Sequence, residues 1–379
     1  MGRVILYAHR LDASTGSGVQ RYTDGLIGGM EEIASADWEV TAVSPDRAPQ
    51  RRPGGPVTYG TVPVPRKVIH GLWMVAEFPP LEAFTGATDL VHLLSTAIPV
   101  PSRAPQVVTV HDLFTVRHPE WFEPRSVRAT LKTLHRAVRS ARRIIAPSAF
   151  VAEDITRTLQ VDPDRISIVH EGVTSRFAAD ESDGDAAGVL TRYSLGPRPY
   201  LITVGLLSPR KNLRVLAEAW AILRSRLGDD TPALVVVGPN DVGHEAARRD
   251  VDRLGLSGTI RFTGYVPDAD LRALLGGATA LVHPSLDEGF GLTPLEAMAA
   301  GVPALVSSSG AIPEVTGDAA QLLDPRDPAA WADAVETIVS NRGLRESMIE
   351  AGRRRAALFT WSAAARGTLA VYRAALSGA

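Results

Sequence analysis

The residues best suited to chemistry lie in one segment, His283–Gly301, which reads HPSLDEGFGLTPLEAMAAG. A short apolar strand is predicted to end at His283, and a loop containing Gly289 and Gly291 then leads into a helix. A helix amino terminus behind such a loop presents backbone N–H groups and a partial positive charge, which favour an anion. In an open α/β sheet this position lies at the carboxyl ends of the strands, where ligands bind. The segment predicts a phosphate site, and the alternative is an ordinary strand–helix connection.

The helix of this segment is predicted to begin with a capping box, in which Thr293 is the N-cap, Pro294 the first and Glu296 the third helical residue. Glu288 precedes it in the loop. A carboxylate beside a phosphate is electrostatically unfavourable, so both glutamates are predicted to accept hydrogen bonds from sugar or ribose hydroxyls. The alternatives are the capping role for Glu296 and a solvated loop carboxylate for Glu288.

A second candidate is a pair of basic residues. Of the 40 Lys and Arg residues, only Lys67, Lys132 and Lys211 are lysines. Lys211 follows Arg210 and a predicted strand, at the start of a helix. Basic residues in a first turn oppose the helix dipole, so this placement favours a nearby anion. The alternative is a solvated pair.

Short apolar runs alternate with helical patterns along the chain, which predicts parallel sheets. Several runs are apolar at successive positions, as strands buried on both faces are. Twelve strands in two sets predict two Rossmann-like α/β domains: Val4–Ala8, Glu39–Val43, Leu90–Leu94, Val107–Val110, Arg143–Ala146 and Ile166–Val169, then Tyr200–Val204, Ala233–Val237, Thr259–Phe262, Thr279–His283, Ala304–Ser307 and Gln321–Leu323.

The boundary between the domains is predicted in an acidic, turn-rich linker at 179–199, between domains at 1–178 and 200–361. The 379 residues carry a formal net charge of −2, with 22% charged and 45% hydrophobic residues. This composition is typical of a soluble globular protein and argues against a disordered chain or a nucleic-acid binder. Cysteine is absent, which excludes disulfides and thiolate chemistry. No targeting segment and no run of ~18 apolar residues is visible, so we expect a cytoplasmic protein.

The spacing Glu288-x7-Glu296 resembles the signature of the family 4 retaining glycosyltransferases, which have the GT-B fold. The resemblance covers nearly the whole chain. Further segments with the same order and placement are Gly310–Glu314, Gly317–Ala320, Val204–Leu213, Gly264–Leu271, Val108–Leu113 and the Gly16–Gly18 loop.

This resemblance implies two Rossmann-like domains with parallel sheets facing an interdomain cleft, and a C-terminal helix, 362–379, that returns to the first domain. The first domain would bind the acceptor and the second the nucleotide-sugar. Trp361, Leu369, Val371 and Tyr372 are the predicted packing residues of the returning helix.

The resemblance also assigns roles. Lys211 would contact the donor diphosphate, and Arg210 would substitute for an arginine that many relatives have at Leu206. His111 would contact a donor sugar hydroxyl; its alternative is a strand-end histidine satisfied by backbone. The predicted catalytic residues are His111, Lys211 and Glu288. The predicted donor-binding residues are Gly16, Gly18, Arg210, Lys211, Tyr265, Val266, Glu288, Gly289, Phe290, Gly291, Leu292, Thr293 and Glu296.

The implied reaction is retaining transfer of a hexose to a glycan, lipid-linked or small-molecule acceptor, with no metal and no cofactor besides the donor. The PRKN and HDLFTVRHPEWF segments look like those of bacterial mannosyl- and rhamnosyltransferases of polysaccharide assembly, which favours GDP-mannose over UDP-sugars. The alternatives are another GT-B enzyme, such as a nucleotide-sugar epimerase or a phosphorylase, and a noncatalytic two-lobed sugar-binding protein.

One basic stretch, Arg125–Arg143, contains seven Arg and Lys residues and no acidic residue. Val127, Leu131, Leu134 and Val138 form a helical apolar stripe within it. One interpretation is an ordinary helix with a solvated basic face. The other is a surface that attracts anionic lipid or a polyprenyl-phosphate acceptor, at the inner face of the membrane.

Overall fold

The chain forms two compact units, Met1–Gly172 with Phe359–Ala379, and Val173–Leu358. They are seen in a computed structural model that describes residues 2–11, 17–33, 37–46, 55–174, 186–196, 199–239 and 244–377. None of the helices in these ranges is long and apolar enough to cross a lipid bilayer.

The first unit contains a seven-stranded sheet in the order β3-β2-β1-β4-β5-β6-β7, and every neighbouring pair is parallel. Its strands are β1 Gly2–Tyr7, β2 Trp38–Ser44, β3 Val57–Thr61, β4 Leu90–Leu93, β5 Gln106–Thr109, β6 Arg143–Ala146 and β7 Ile166–Ile168. Its first six helices are α1 Gly18–Ile33, α2 Arg66–Val75, α3 Glu82–Thr85, α4 Phe114–Arg117, α5 Pro124–Ser140 and α6 Ala149–Leu159.

The second unit contains a six-stranded parallel sheet in the order β10-β9-β8-β11-β12-β13. Its helices are α7 Ala186–Arg192, α8 Leu213–Leu227, α9 His244–Arg253, α10 Asp268–Gly276, α11 Leu292–Ala299, α12 Ile312–Thr316, α13 Pro328–Ser340 and α14 Arg342–Ala356. Its strands are β8 Tyr200–Val204, β9 Ala233–Val237, β10 Ile260–Gly264, β11 Ala280–His283, β12 Ala304–Ser307 and β13 Gln321–Leu323.

Both sheets have the strand order of a Rossmann-like fold, so the direction of winding reverses once in each. The reversal falls between β1 and β4 in the first unit and between β8 and β11 in the second. The prediction of two Rossmann-like domains and of all twelve strands is confirmed. The strand that sequence analysis missed is β3, which lies at the edge of its sheet and is buried at only one of its five positions.

The second part of the predicted linker is a packed element of the second unit. Helix α7 lies within 179–199, and Val189 and Leu195 are buried in one core cluster with Tyr200 and Leu274. The apolar residues of this part therefore bind it to the domain that follows. Residues 179–185 and 197–198 lie outside the described residues.

The C-terminal helix α15, Trp361–Ser377, belongs to the first unit, which confirms the predicted return of the chain. All four of its predicted packing residues are buried. Trp361 lies against the glycines of α1: a Cβ placed on Gly29 would stand 2.2 Å from the Trp361 carbonyl oxygen, and one on Gly25 would overlap the indole ring. Tyr372 Oη lies 2.7 Å from Nδ1 of buried His92.

We expect Gly29→Ala to destabilise the first unit by about 1–3 kcal/mol, because the new methyl group forces α1 and α15 apart. Gly28→Ala is the matched control, since no atom lies within 4 Å of its built Cβ. That variant should be neutral or more stable by up to about 1 kcal/mol, because alanine favours a helix interior over glycine. Urea unfolding measures both, and equal effects at the two positions would contradict the close packing of α15.

Candidate active site

Two basic residues and a glutamate meet at the point where the second sheet reverses its winding. Arg210 and Lys211 end a short turn, Pro209–Lys211, that follows β8, and Glu288 lies in the loop after β11. Because β8 and β11 are neighbours in a parallel sheet, their carboxyl ends lie side by side. Side chains that are 77 residues apart in sequence therefore come into contact.

The Glu288 carboxylate is held by two charges. Lys211 Nζ lies 2.7 Å from Glu288 Oε1, and Arg210 Nη1 lies 2.6 Å from Oε2. Arg210 Nη1 also donates to the Asp287 carbonyl oxygen at 2.9 Å. These are short charge-assisted contacts among side chains that are only 11–20% exposed, so water screens them weakly. Three of the predicted site residues thus form one cluster.

Buried His283 is a fourth member of this cluster, and sequence analysis treated it only as the end of a strand. Its Nε2 lies 3.0 Å from Glu288 Oε1. Burial, followed by the Lys211 charge, lowers the pKa of His283 to about 4. The ring is therefore neutral near pH 7, and it can donate from Nε2 to Glu288. The signal in sequence was a polar residue at the last position of an otherwise apolar strand.

Burial by itself would raise the pKa of Glu288, but the Arg210 and Lys211 charges outweigh burial and hold the pKa well below its usual range. Glu288 is therefore ionised throughout the physiological pH range. A carboxylate in this state can only accept hydrogen bonds.

Gly205, the residue after β8, makes room for the Lys211 side chain. Its φ is +149°, and a Cβ built there would stand 2.8 Å from Lys211 Cε. A larger residue would therefore displace the lysine. Leu206 follows, and its side chain is 47% exposed.

The predicted capping box at helix α11 is wrong. The helix begins at Leu292, and its N-cap is Gly291 with φ 118°, which has no side chain to act as a cap. Thr293 is therefore the second helical residue and Glu296 the fifth. Glycine can adopt the left-handed conformation, so the loop enters the helix two residues earlier than predicted. Glu296 is buried, and as the fifth helical residue it does not stand at the third position of the predicted Thr293 capping box.

The remaining residues predicted in the second domain lie on neighbouring loops. Gly289 and buried Phe290 complete the loop between Glu288 and α11. Tyr265 and Val266 follow β10, which is two strands away from β8. Tyr265 is 55% exposed, whereas the Val266 side chain packs into the core. A ligand would therefore meet the tyrosine side chain here, and would meet Val266 through its backbone.

A pocket of about 480 Å³ lies where the first sheet reverses its winding. His9 and Arg10, which follow β1, Ser95 and Thr96, which follow β4, and His111 contribute to its walls. Gly18 is the first residue of α1, beside this pocket. Gly16, its predicted companion, lies outside the described residues.

Both ring nitrogens of His111 face oxygen acceptors. Nε2 lies 2.9 Å from the Leu94 carbonyl oxygen, and Nδ1 lies 3.3 Å from Glu171 Oε1. Two acceptors require two N–H donors, so this geometry favours the imidazolium. Burial would lower the pKa of His111, but the hydrogen bond and charge of Glu171 outweigh it and raise the pKa. A sugar hydroxyl would have to displace a partner to reach a ring nitrogen.

Sequence analysis missed Glu171 entirely. The residue is 5% exposed and lies beyond the last strand of the first unit, 60 residues from His111. It belongs to none of the motifs that resemble the family. In the sequence, its one signal was its position beside Gly172. In the structure, a Cβ built on Gly172 would stand 2.3 Å from the Trp361 backbone nitrogen, so this glycine lies in a closely packed region.

The comparisons with known proteins agree with this geometry. A model of the glycosyl transferases group 1 matches residues 194–355, and a model of glycosyltransferase family 4 matches residues 16–177. O-antigen chain mannosyltransferase B of Escherichia coli is 33% identical over 267 residues, which cover 70% of this chain and 70% of that protein.

Two further proteins are similar. D-inositol 3-phosphate glycosyltransferase of Salinispora arenicola is 31% identical over 71% of this chain, but the match spans only 63% of that protein. The crystal structure of HepE from Anabaena in complex with UDP and glucose superposes with a TM-score of 0.76 and 17% identity, over 99% of this chain and all of that one.

The two parallel-sheet units have the GT-B fold. The chain belongs to glycosyltransferase family 4, whose members use nucleotide-sugar donors. The predicted family and fold are therefore confirmed. The individual roles of the site residues stay predictions.

We expect Glu171→Gln to destabilise the protein in a pH-dependent way. Because the folded-state pKa of His111 is raised above 6.5, its stabilising effect is full below pH 6.5 and is lost as the pH rises through the folded-state pKa. The variant should lose about 1.5–3 kcal/mol of unfolding free energy at pH 6 and less at pH 9.

Urea unfolding at both pH values measures this difference. Glu120→Gln is the matched control, since Glu120 contacts a histidine, His118, at 3.1 Å on the surface. The control should be indistinguishable from the parent protein. A loss in Glu171→Gln that is the same at pH 6 and pH 9 would show that His111 is not held as a cation.

Proposed function

We propose that this glycosyltransferase moves a hexose from a nucleoside diphosphate sugar, with GDP-mannose as the donor, to a glycan, lipid-linked or small-molecule acceptor. The observation that carries the proposal is the Arg210–Lys211–Glu288 cluster at the winding reversal of the second sheet. The similarity to an Escherichia coli O-antigen chain mannosyltransferase supports mannose as the sugar. The acceptor would bind in the pocket of the first unit, which contains His111.

The two cations of the cluster supply what the leaving group needs. As the bond between the sugar and the diphosphate breaks, negative charge builds on the departing phosphate, and cations already in place stabilise it. Arg210 would supply the second positive charge, which Leu206 cannot supply. Its guanidinium contacts the same carboxylate as Lys211, which supports this role. The diphosphate would replace Glu288 as their partner. Glu288 could then accept hydrogen bonds from sugar hydroxyls.

We further propose that the reaction retains the anomeric configuration by a front-side path. The bond from C1 to the diphosphate oxygen breaks, the bond from C1 to the acceptor oxygen forms on the same face, and the acceptor proton goes to the departing phosphate. This path requires no carboxylate nucleophile on the opposite face. It also requires no metal, because Lys211, Arg210 and backbone N–H groups would balance the charge.

An assay of released nucleoside diphosphate over a panel of donors and acceptors tests the proposal. We expect release from GDP-mannose to exceed release from UDP-sugars, and proton NMR of the product to show the anomeric configuration of the donor. Inversion would contradict the front-side path. Conversion of the donor sugar without transfer would indicate an epimerase, and donor binding without turnover a sugar-binding protein.

We expect Lys211→Ala to lower kcat by about 10²–10³-fold and to change the donor Kd by less than tenfold, because the lysine acts mainly on charge that develops in the transition state. Lys67→Ala, which removes an exposed lysine of the first unit, is the control and should leave both constants unchanged. Turnover measured at saturating donor and donor titration by calorimetry separate the two effects. Equal losses in kcat and affinity would mean that Lys211 only binds the ground state.

A further inference from the structure

Helix α2 presents a stripe of apolar side chains to solvent. Val68, Leu72 and Val75 have the i, i+4, i+7 spacing of one helix face, and they are 52%, 43% and 88% exposed. Phe78, just beyond the helix, is 65% exposed. The opposite face of α2 is buried through Ile69 and Trp73. An exposed apolar cluster of this size marks an interaction surface.

Helix α5 lies beside α2 on the same side of the first sheet. Its residues Leu134 and Val138 belong to the same core cluster as Ile69 and Trp73, and the strand residues of this cluster all come from one sheet face. Arg136 joins the two helices directly, since its Nη1 donates to the Met74 carbonyl oxygen at 3.1 Å and its Nη2 lies 2.6 Å from Glu77 Oε1. The outward faces of α2 and α5 are therefore adjacent.

The outward face of α5 is basic. Arg125, Arg128, Lys132 and Arg139 are exposed, and the helix contains no acidic residue. Throughout the described ranges, none of these four side chains forms an ion pair or a side-chain hydrogen bond. Like charges on neighbouring turns repel each other weakly, so a nearby anionic surface would stabilise this face. In the predicted apolar stripe of this helix, Leu134 and Val138 are buried, and Val127 and Leu131 are half-buried. The basic side chains therefore lie on the face of the helix that is exposed to solvent.

We propose that these two faces together dock the enzyme on an anionic lipid bilayer. We call them the α2–α5 face: Val68, Leu72, Val75 and Phe78, with Arg125, Arg128, Lys132 and Arg139. The apolar side chains would enter the boundary between headgroups and acyl chains, as those of interfacial helices do. Basic residues near an anionic membrane surface strengthen the attraction to it. The chain as a whole has a net charge of −2, so the attraction comes from this local face.

The combination of groups favours a bilayer over a protein partner. Arginine is common in protein interfaces, but four basic residues on one face would each require an acceptor on the partner at a matching position. A bilayer of anionic lipids satisfies four basic residues of one sign in any arrangement, and it accepts an apolar stripe beside them. The proposal rests on the proposed function in one respect, since docking would bring the enzyme to lipid-linked acceptors. Binding to vesicles can be measured without turnover, so the two proposals can fail separately.

Flotation of the full chain with vesicles tests the proposal. We expect binding to vesicles with 30% phosphatidylglycerol, at least tenfold weaker binding to pure phosphatidylcholine, and loss of binding to the anionic vesicles in about 0.5 M salt. Leu72→Ser with Val75→Ser should weaken binding to anionic vesicles at least tenfold, and Arg128→Glu with Lys132→Glu should abolish it. Leu358→Ser and Arg354→Glu, which remove exposed residues of the second unit, should bind as the parent does.

Phe78→Trp provides a second measurement, because it keeps a large apolar side chain at this position of the face. Its fluorescence should shift to the blue with anionic vesicles and stay unchanged with phosphatidylcholine vesicles. Absence of flotation of the parent chain with both kinds of vesicle would overturn the proposal. So would a dimer, measured by light scattering, that Leu72→Ser with Val75→Ser dissociates, because a second copy would then cover the face. Turnover on a soluble acceptor should survive all these substitutions; its absence in the parent chain would count against the proposed function and leave the docking result standing.

Discussion

Two adjacent positive charges in a poorly hydrated site require an anion, and the geometry of the second unit follows from that requirement. Arg210 and Lys211 follow one another in the chain and both reach the same carboxylate, Glu288. Without it, their mutual repulsion and the cost of removing both charges from water would oppose burial. The sheet supplies Glu288 because β8 and β11 are neighbours with their carboxyl ends aligned. A diphosphate would meet the same requirement, which is why this cluster supports the proposed donor site.

The histidines of the two units show how surroundings set a charge. His283 is buried next to Lys211, so its neutral form is favoured and it can donate one hydrogen bond to Glu288. His111 faces a carboxylate and a carbonyl oxygen, so its charged form is favoured in spite of burial. Each ring lies at the carboxyl end of a parallel strand: His283 is the last residue of β11, and His111 follows β5. The fold therefore presents the same residue type twice, and its neighbours decide which protonation state it has.

The first unit has a pocket at the ends of its strands and a helical face beside its sheet. The carboxyl ends of β1, β4 and β5 surround the pocket that contains His111. One face of the sheet is covered by α2 and α5, whose inner residues share a core cluster. Under the two proposals, the pocket would bind the acceptor and the α2–α5 face would hold the enzyme at the bilayer. One sheet can carry both a pocket and a docking face, because the loops at the strand ends and the outer faces of the helices can differ in sequence independently.

Local sequence patterns determined the elements of this protein, and long-range contacts determined the chemistry of its site. The twelve predicted strands were recognisable because apolar runs need no knowledge of distant residues, and half-exposed β3 escaped because its pattern is weak. The α11 capping box failed because the left-handed conformation of Gly291 depends on how the loop packs. Glu171 and His283 became visible as partners only in the folded chain, where residues 60 positions apart or on different elements meet. Alternation of residue types is encoded locally, whereas a charge state and an exposed face depend on what the fold brings beside them.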